Sequence, residues 1–314
     1  MKFPSPEGAG GSLLLEASSF IPLAILRIGL AAILLAQAQV LWEYRELLLD
    51  EFGPVPWIIS DRMLDPFLPR LSYLAAWLAP TGISSKELVA GFLIAHGIGA
   101  ALLLVGYCTR WAALLAWATY VVLRTTGHLY FYGIGGVLLI GLFYCIFLPV
   151  AREWSVDRLV EARRRRPADD SLDASLSVLV LRIHLCIIYL AAGLSKAVGE
   201  QWWSGDAVWR ALSLPRFQQF ETTQVFAYPA LLQVAALGAF IVQLAYPVLV
   251  WTRLRAAIVL LTELMHLGIA IFLGLWMFSV VMIVFNLAAF GETLWRAGRR
   301  WSGSLGLAPS WKSR

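Results

Sequence analysis

Charge is what this chain has least of. Only 14% of its 314 residues are Asp, Glu, Lys or Arg, against 60% hydrophobic ones. A soluble domain typically holds about 25% charged and 45–50% apolar residues. That shortfall excludes an ordinary soluble globule. Strict alternation of apolar and polar residues is missing too, which excludes a β-barrel. The three cysteines, Cys108, Cys145 and Cys186, lie in or at the ends of apolar runs. They form no extracellular disulfide framework and no C-x-x-C or zinc spacing, and they read as small buried hydrophobes. The chain also lacks a P-loop, a Gly-x-Ser-x-Gly elbow and a dinucleotide fingerprint, so it has no recognisable nucleotide or hydrolase chemistry.

What it has is a series of apolar runs, each near the ~20 residues that cross a ~30 Å hydrocarbon core. The fold class expected is an all-α integral membrane protein, a bundle of about eight transmembrane helices with short interfacial helices. The spans fall at about 20–40, 88–107, 111–123, 134–150, 176–194, 226–251, 256–273 and 276–290. Residues 1–18 read as a flexible cytoplasmic N-terminus, 19–296 as the transmembrane domain and 297–314 as a basic cytoplasmic tail. Ala36-Gln37-Ala38 looks like a signal-peptidase site. However, Lys2 is the only basic residue before the run and Arg27 interrupts it, so no cleavage is expected. Between the first two spans, Pro54, Pro56, Pro66, Pro69 and Pro80 break a segment of short interfacial helices. Leu71–Leu78 within it is too short to span and reads as partly embedded. Trp202, Trp203 and Trp209 suit another interfacial segment, over 197–223.

A net charge of +5 would invite a nucleic-acid reading, but the basic residues sit between spans. With eight spans and a cytoplasmic N-terminus, 15 of the 25 Lys and Arg residues fall inside, including Arg163 to Arg166. Six fall outside (Arg45, Arg62, Arg70, Lys86, Arg210, Arg216), and four lie in or at the edges of spans. This places both termini in the cytoplasm and residues 125–133 and 196–223 at the outer face of the cell's inner (plasma) membrane.

Charges inside hydrocarbon cost about 2.5–3.5 kcal/mol each on insertion scales. Arg27, Arg124, Arg182, Lys196 and Glu263 should therefore face the bundle interior or a wet cavity. His96, His128, His184 and His266 also lie in or beside spans. For Arg27, Arg182, His96 and His184 the simple reading is hydrogen-bonded glue between helices. Lys196 closes a span, where it either snorkels to the interface or stays desolvated as a neutral amine able to act as a base. Glu263 and His266 are three apart and share a helix face. Glu-x-x-His is also half of a di-iron site, but no second pair exists, so a carboxylate orienting an imidazole is expected and no metal. His128 stands in Gly127-His128-Leu129-Tyr130-Phe131-Tyr132-Gly133, which is either an interfacial aromatic belt or irregular backbone lining a cavity.

Four stretches resemble the horizontally transferred transmembrane (HTTM) domain family, whose best-understood member is vitamin K-dependent gamma-glutamyl carboxylase. They are Leu23-Ala24-Ile25-Leu26-Arg27, Gly127 to Gly133, Glu153-Trp154-Ser155-Val156-Asp157, and Tyr189 to Lys196 continuing to Trp202 and Gly205. His266-Leu267-Gly268 is a weaker match. The resemblance covers most of residues 20–290. It implies Lys196 as the base that deprotonates a reduced vitamin K-type naphthoquinone. Oxygenation then yields a strong base that removes a γ-proton from a substrate glutamate, and carbon dioxide adds to the carbanion. His128 would assist that later chemistry, and His266 with Glu263 would polarise the bound ring. Arg27, Arg124, Tyr132 and Trp202 would bind the cofactor. The chain departs from the family pattern at Ser195, where the enzyme has a second lysine, and at Phe278-Ser279, where Phe-Pro is common. The implied partners are the lipid bilayer and a secreted peptide or protein substrate. Other readings in the family are a maturation or export factor for a secreted peptide toxin, or a non-catalytic quinone- or lipid-binding protein.

Overall fold

A computed structural model describes residues 19–131, 133–162, 171–217, 219 and 227–304. Every regular element among them is helical. The eight helices of 14 or more residues are α1 (Ile21–Glu43), α2 (Ser85–Val105), α3 (Thr109–Thr126) and α4 (Ile134–Phe147), then α5 (Ser171–Ala197), α6 (Pro229–Leu249), α7 (Arg255–Leu273) and α8 (Trp276–Ser304). They stand where the eight apolar runs predict them. All but α3 and α4, six in number, are long and apolar enough to cross a membrane. α4, with 14 residues, is about 21 Å long, and α3 carries Arg110 and Arg124 near its ends. Tyr132, Arg163 to Arg166 and both predicted terminal tails (1–18, and 305–314 of the latter) lie outside the described residues.

Contacts divide the chain into two compact units, Leu23–Asp169 and a second made of Asp170–Arg314 with Met1–Pro22. In the first, α2 packs on α3 and α3 on α4. α2 starts at a capping box. The Ser84 hydroxyl accepts from the Glu87 N–H, and the Glu87 carboxylate accepts from the Ser84 N–H at 2.8 Å. It ends at Gly106, whose φ of +69° is closed to most side chains. A Cβ there would also lie 2.5 Å from the Ser155 Cβ and 2.6 Å from Arg27 Nη1.

Arg27 explains that crowding. It is fully buried, and all five of its N–H groups point at backbone carbonyls. Nη1 donates to Leu103 O (2.7 Å), which also accepts from the Gly106 N–H, and to Leu104 O (2.8 Å), both carbonyls of the last turn of α2. Nε donates to Val150 O (3.2 Å), and Nη2 to Glu153 O (3.4 Å) and Trp154 O (2.5 Å). One side chain of α1 thus ties the end of α2 to the segment after α4. Asp157 completes the joint. Its carboxylate accepts from the N–H groups of Cys108 and Thr109 (both 2.8 Å) and from the Thr109 hydroxyl (2.7 Å), capping α3 from a distant segment.

The predicted short helices form at Arg45–Leu48, Trp57–Met63 and Leu71–Leu78. They pack on α2 and α3 through Leu49, Trp57 and Leu71 against Leu88, Leu93 and Leu123. Burying such a side chain is worth about 1.5–3 kcal/mol. The Trp57 indole N–H is satisfied by Leu49 O at 2.9 Å. Leu71–Leu78 turns Leu71 inward and leaves Trp77 exposed.

In the second unit, α5 packs on α6, α6 on α7, α7 on α8 and α8 back on α5, a closed four-helix ring. α5 shows the logic in one dimension. Ala174, Val178, Leu181, Leu185 and Tyr189 form its buried stripe, while Leu176, Val180, Ile183, Ile187, Leu190 and Leu194 are exposed. An outward leucine–isoleucine stripe suits lipid, which makes these helices membrane-embedded elements of a multi-pass protein. A Cβ on Gly193 would meet the Leu244 backbone N at 3.1 Å, so this glycine lets α5 and α6 approach closely.

Candidate functional site

Each helix of the ring contributes two polar residues at same-face spacing: Tyr189 and Lys196 from α5, Gln243 and Tyr246 from α6, Glu263 and His266 from α7, Ser279 and Asn286 from α8. Tyr189, Tyr246, His266, Ser279 and Asn286 are all essentially inaccessible. Four of them form a chain. The Tyr246 hydroxyl donates to Asn286 Oδ1 (2.7 Å), Asn286 Nδ2 donates to the Tyr189 oxygen (2.7 Å), and that hydroxyl contacts His266 Nε2 (2.9 Å). Aromatic rings enclose the chain, with Tyr189 against Tyr246 at 4.2 Å and Phe278 against His266 at 5.7 Å.

Not all of the polar atoms here are satisfied. Among the described residues, both Glu263 carboxylate oxygens, His266 Nδ1, Ser279 Oγ and Gln243 Oε1 are buried with no hydrogen-bond partner. Such orphans are costly in a stable interior, where buried polar groups are almost always paired. Glu263 and His266 share a face of α7 as expected, yet the imidazole is oriented by Tyr189, since no bond joins the carboxylate to it.

Lys196 sits two helical turns along α5 from Tyr189, on the same face. It is half-buried, and its Nζ is 4.9 Å from the Trp202 ring centroid. Its one hydrogen bond is a long 3.4 Å donation to Ala192 O. No acid pairs with it among the described residues. Ser195, beside it, is exposed and spends its hydroxyl on Ala192 O. Trp203 anchors this end of the helix, donating to Ala197 O at 2.8 Å and packing on Phe240 of α6.

His128 belongs to the first unit, in the turn between α3 and α4. The Ser60 hydroxyl gives its single proton to Thr126 O (2.7 Å) and must therefore accept from His128 Nδ1 (3.2 Å). Nε2 is left as an acceptor. Buried Arg70 stands behind, donating to Ser60 O (2.8 Å) and to Asp65 O, and pairing with Asp61 at 3.4 Å. Partial burial and, next, the Arg70 charge hold the His128 imidazole below its ordinary pKa.

Other predicted residues have structural tasks. Arg27 has no N–H left for a ligand. Arg182 donates to Ala289 O (2.9 Å) and lies over Phe290, joining α5 to α8. Fully buried His96 joins α2 to α3 through Thr119 (3.0 Å) and stacks on Tyr120. Half-buried Arg124 packs against Gly135 of α4, with its Nε unpartnered. His184 is half-buried on α5. Asn286, Tyr246 and Gln243 were not singled out by the sequence reading. Their signal was available: each is a polar side chain inside an apolar run, and Gln243 and Tyr246 are three apart.

The chain is thus a polytopic α-helical membrane protein with a polar cluster inside one four-helix ring. It belongs to the HTTM domain family, whose sequence profile matches residues 59–295 and whose wider context includes the vitamin K-dependent carboxylases. No match was found among curated proteins or among solved structures.

Proposed function

We propose that the chain is a quinol-linked membrane enzyme of the carboxylase type, acting on a secreted peptide at the outer face of the plasma membrane. The observation that carries this reading is the juxtaposition in one ring of an acid-free lysine and buried orphan atoms on Glu263, His266 and Ser279. The orphans suit a hydroquinone. A phenolic hydroxyl both gives and takes hydrogen bonds, and its flat ring matches the apolar and aromatic surroundings. When bound, the quinol would supply, with oxygen, the base strength that a lysine lacks.

The chain's own residues then have definite tasks. Lys196, half-buried and with no carboxylate partner among the described residues, serves as the base through its Nζ, and the Trp202 ring steadies the ammonium that results. Glu263 accepts the hydrogen bond of a ligand hydroxyl, and His266 polarises the ring oxygen. Trp202 closes the lysine's end of the site.

The test is purified protein in lipid nanodiscs with reduced naphthoquinone, oxygen and labelled bicarbonate. Quinone epoxide is expected from the native protein and none from Lys196→Ala. Equal epoxide from both would remove Lys196 from the chemistry. No epoxide from either would end the enzyme reading and leave the maturation-factor alternative.

A further inference from the structure

The hydrogen bonds of the four-helix ring have a fixed direction, and that direction decides what His266 can do. Asn286 is the starting point. Its side-chain nitrogen lies 3.0 Å from Met282 O, so the amide cannot be turned over without setting oxygen against oxygen. Its two N–H groups are therefore spent on Met282 O and on the Tyr189 oxygen, and its Oδ1 takes the proton of Tyr246. The Tyr189 oxygen already accepts from Asn286, so its own proton is directed away from that amide. The acceptor available is His266 Nε2, 2.9 Å off. Nε2 must then be unprotonated, and a neutral His266 carries its proton on Nδ1. Nδ1 is the ring nitrogen that is buried and without a partner.

We propose that Tyr189, Asn286 and Tyr246 are positioning residues that hold His266 as the Nδ1–H tautomer, which makes it a hydrogen-bond donor in the site and bars it from acting as a base. Resting on the functional reading above, this also defines the ligand's side of the contact. The ligand must offer His266 an acceptor oxygen, as a quinone carbonyl or a deprotonated phenol does, and proton removal falls to Lys196.

The tautomer is directly observable. The chain has four histidines, so long-range proton–nitrogen correlation spectra of ¹⁵N-histidine-labelled protein are tractable, with His266→Gln giving the assignment. His266 is expected to show a protonated Nδ1 and an unprotonated Nε2. In Tyr189→Phe the imposed direction is lost, and the Nε2–H form should become the major one. A native spectrum with the proton on Nε2 would overturn the proposal, as would an unchanged tautomer in Tyr189→Phe. The native spectrum decides even if that variant fails to fold. Because the readout needs no turnover, it can fail or succeed independently of the quinol assay.

Discussion

His128 and His266 carry the ring proton on the same nitrogen and offer opposite edges. In the first unit a serine takes the Nδ1 proton of His128 and leaves Nε2 as a base. In the second, a tyrosine fills Nε2 of His266 and leaves Nδ1 as a donor. The surroundings differ in the same sense. Arg27, Arg70 and Asp157 of the first unit are spent on backbone carbonyls and N–H groups, holding segments together. Glu263 and Lys196 of the second have no charged partner and little hydrogen bonding among the described residues. A buried charge in a membrane bundle is thus not a functional signal by itself, and neither is a lone orphaned atom, since His96 Nε2, Tyr120 Oη and Arg124 Nε of the first unit are also buried without a hydrogen bond among the described residues. The signal is a set of such atoms gathered in one ring with a lysine.

Substitutions should separate the two kinds of charge. The largest effect is expected at Arg27. Removing its guanidinium strands the carbonyls of Leu104, Val150, Glu153 and Trp154, at about 1–3 kcal/mol each when buried, a sum comparable to a typical domain's whole reserve. Arg27→Ala should yield no monodisperse protein after detergent extraction. Arg27→Lys should rescue little, since an ammonium has three donors. A normal melting temperature for Arg27→Ala would break the contrast drawn here. At Glu263 the signs should split. Glu263→Gln keeps the size of a side chain whose oxygens have no partner among the described residues, so stability should hold within about 1 kcal/mol, while epoxide formation falls by about a hundredfold. A clear drop in melting temperature would instead make Glu263 a structural group.

The smallest effect is the pH response of His128. Its folded pKa lies below the ordinary 6.5, so as pH falls the unfolded chain binds the proton first. The stability it contributes is present above pH 6.5 and drains away in the window just beneath. Melting temperature should therefore fall slightly more steeply between about pH 7.5 and 5.5 in the native protein than in His128→Gln. Parallel pH curves for the two proteins would remove this asymmetry.

The helices were legible in the sequence because a membrane span is written as one long apolar run, and all eight stand where the runs fall. The partners of the buried charges were not. Arg27 reads as glue between helices and, by resemblance alone, as a cofactor contact; it is glue, but its partners are backbone carbonyls on two other segments, and no residue type records which carbonyls need a donor. Ser60 and His128 are 68 residues apart, so their contact has no local signature. Within the ring, same-face pairs such as Tyr189 with Lys196 and Glu263 with His266 could be read from spacing. The choice of which helices meet could not, because lipid-facing and ring-facing leucines have the same composition. Hence Glu263 was expected to orient His266, and the tyrosine of the helix diagonally across the ring does so instead.

The Glu153–Asp157 stretch has a consequence for how relatives are recognised. Its carbonyls hold Arg27 and its aspartate caps α3, so its letters record a joint in the scaffold. A chain could keep that stretch and Arg27, assemble the same frame, and have exchanged every group inside the ring. Likeness at the joint is evidence of ancestry. Inheritance of a trade has to be read from Tyr189, Lys196, Glu263, His266 and Asn286.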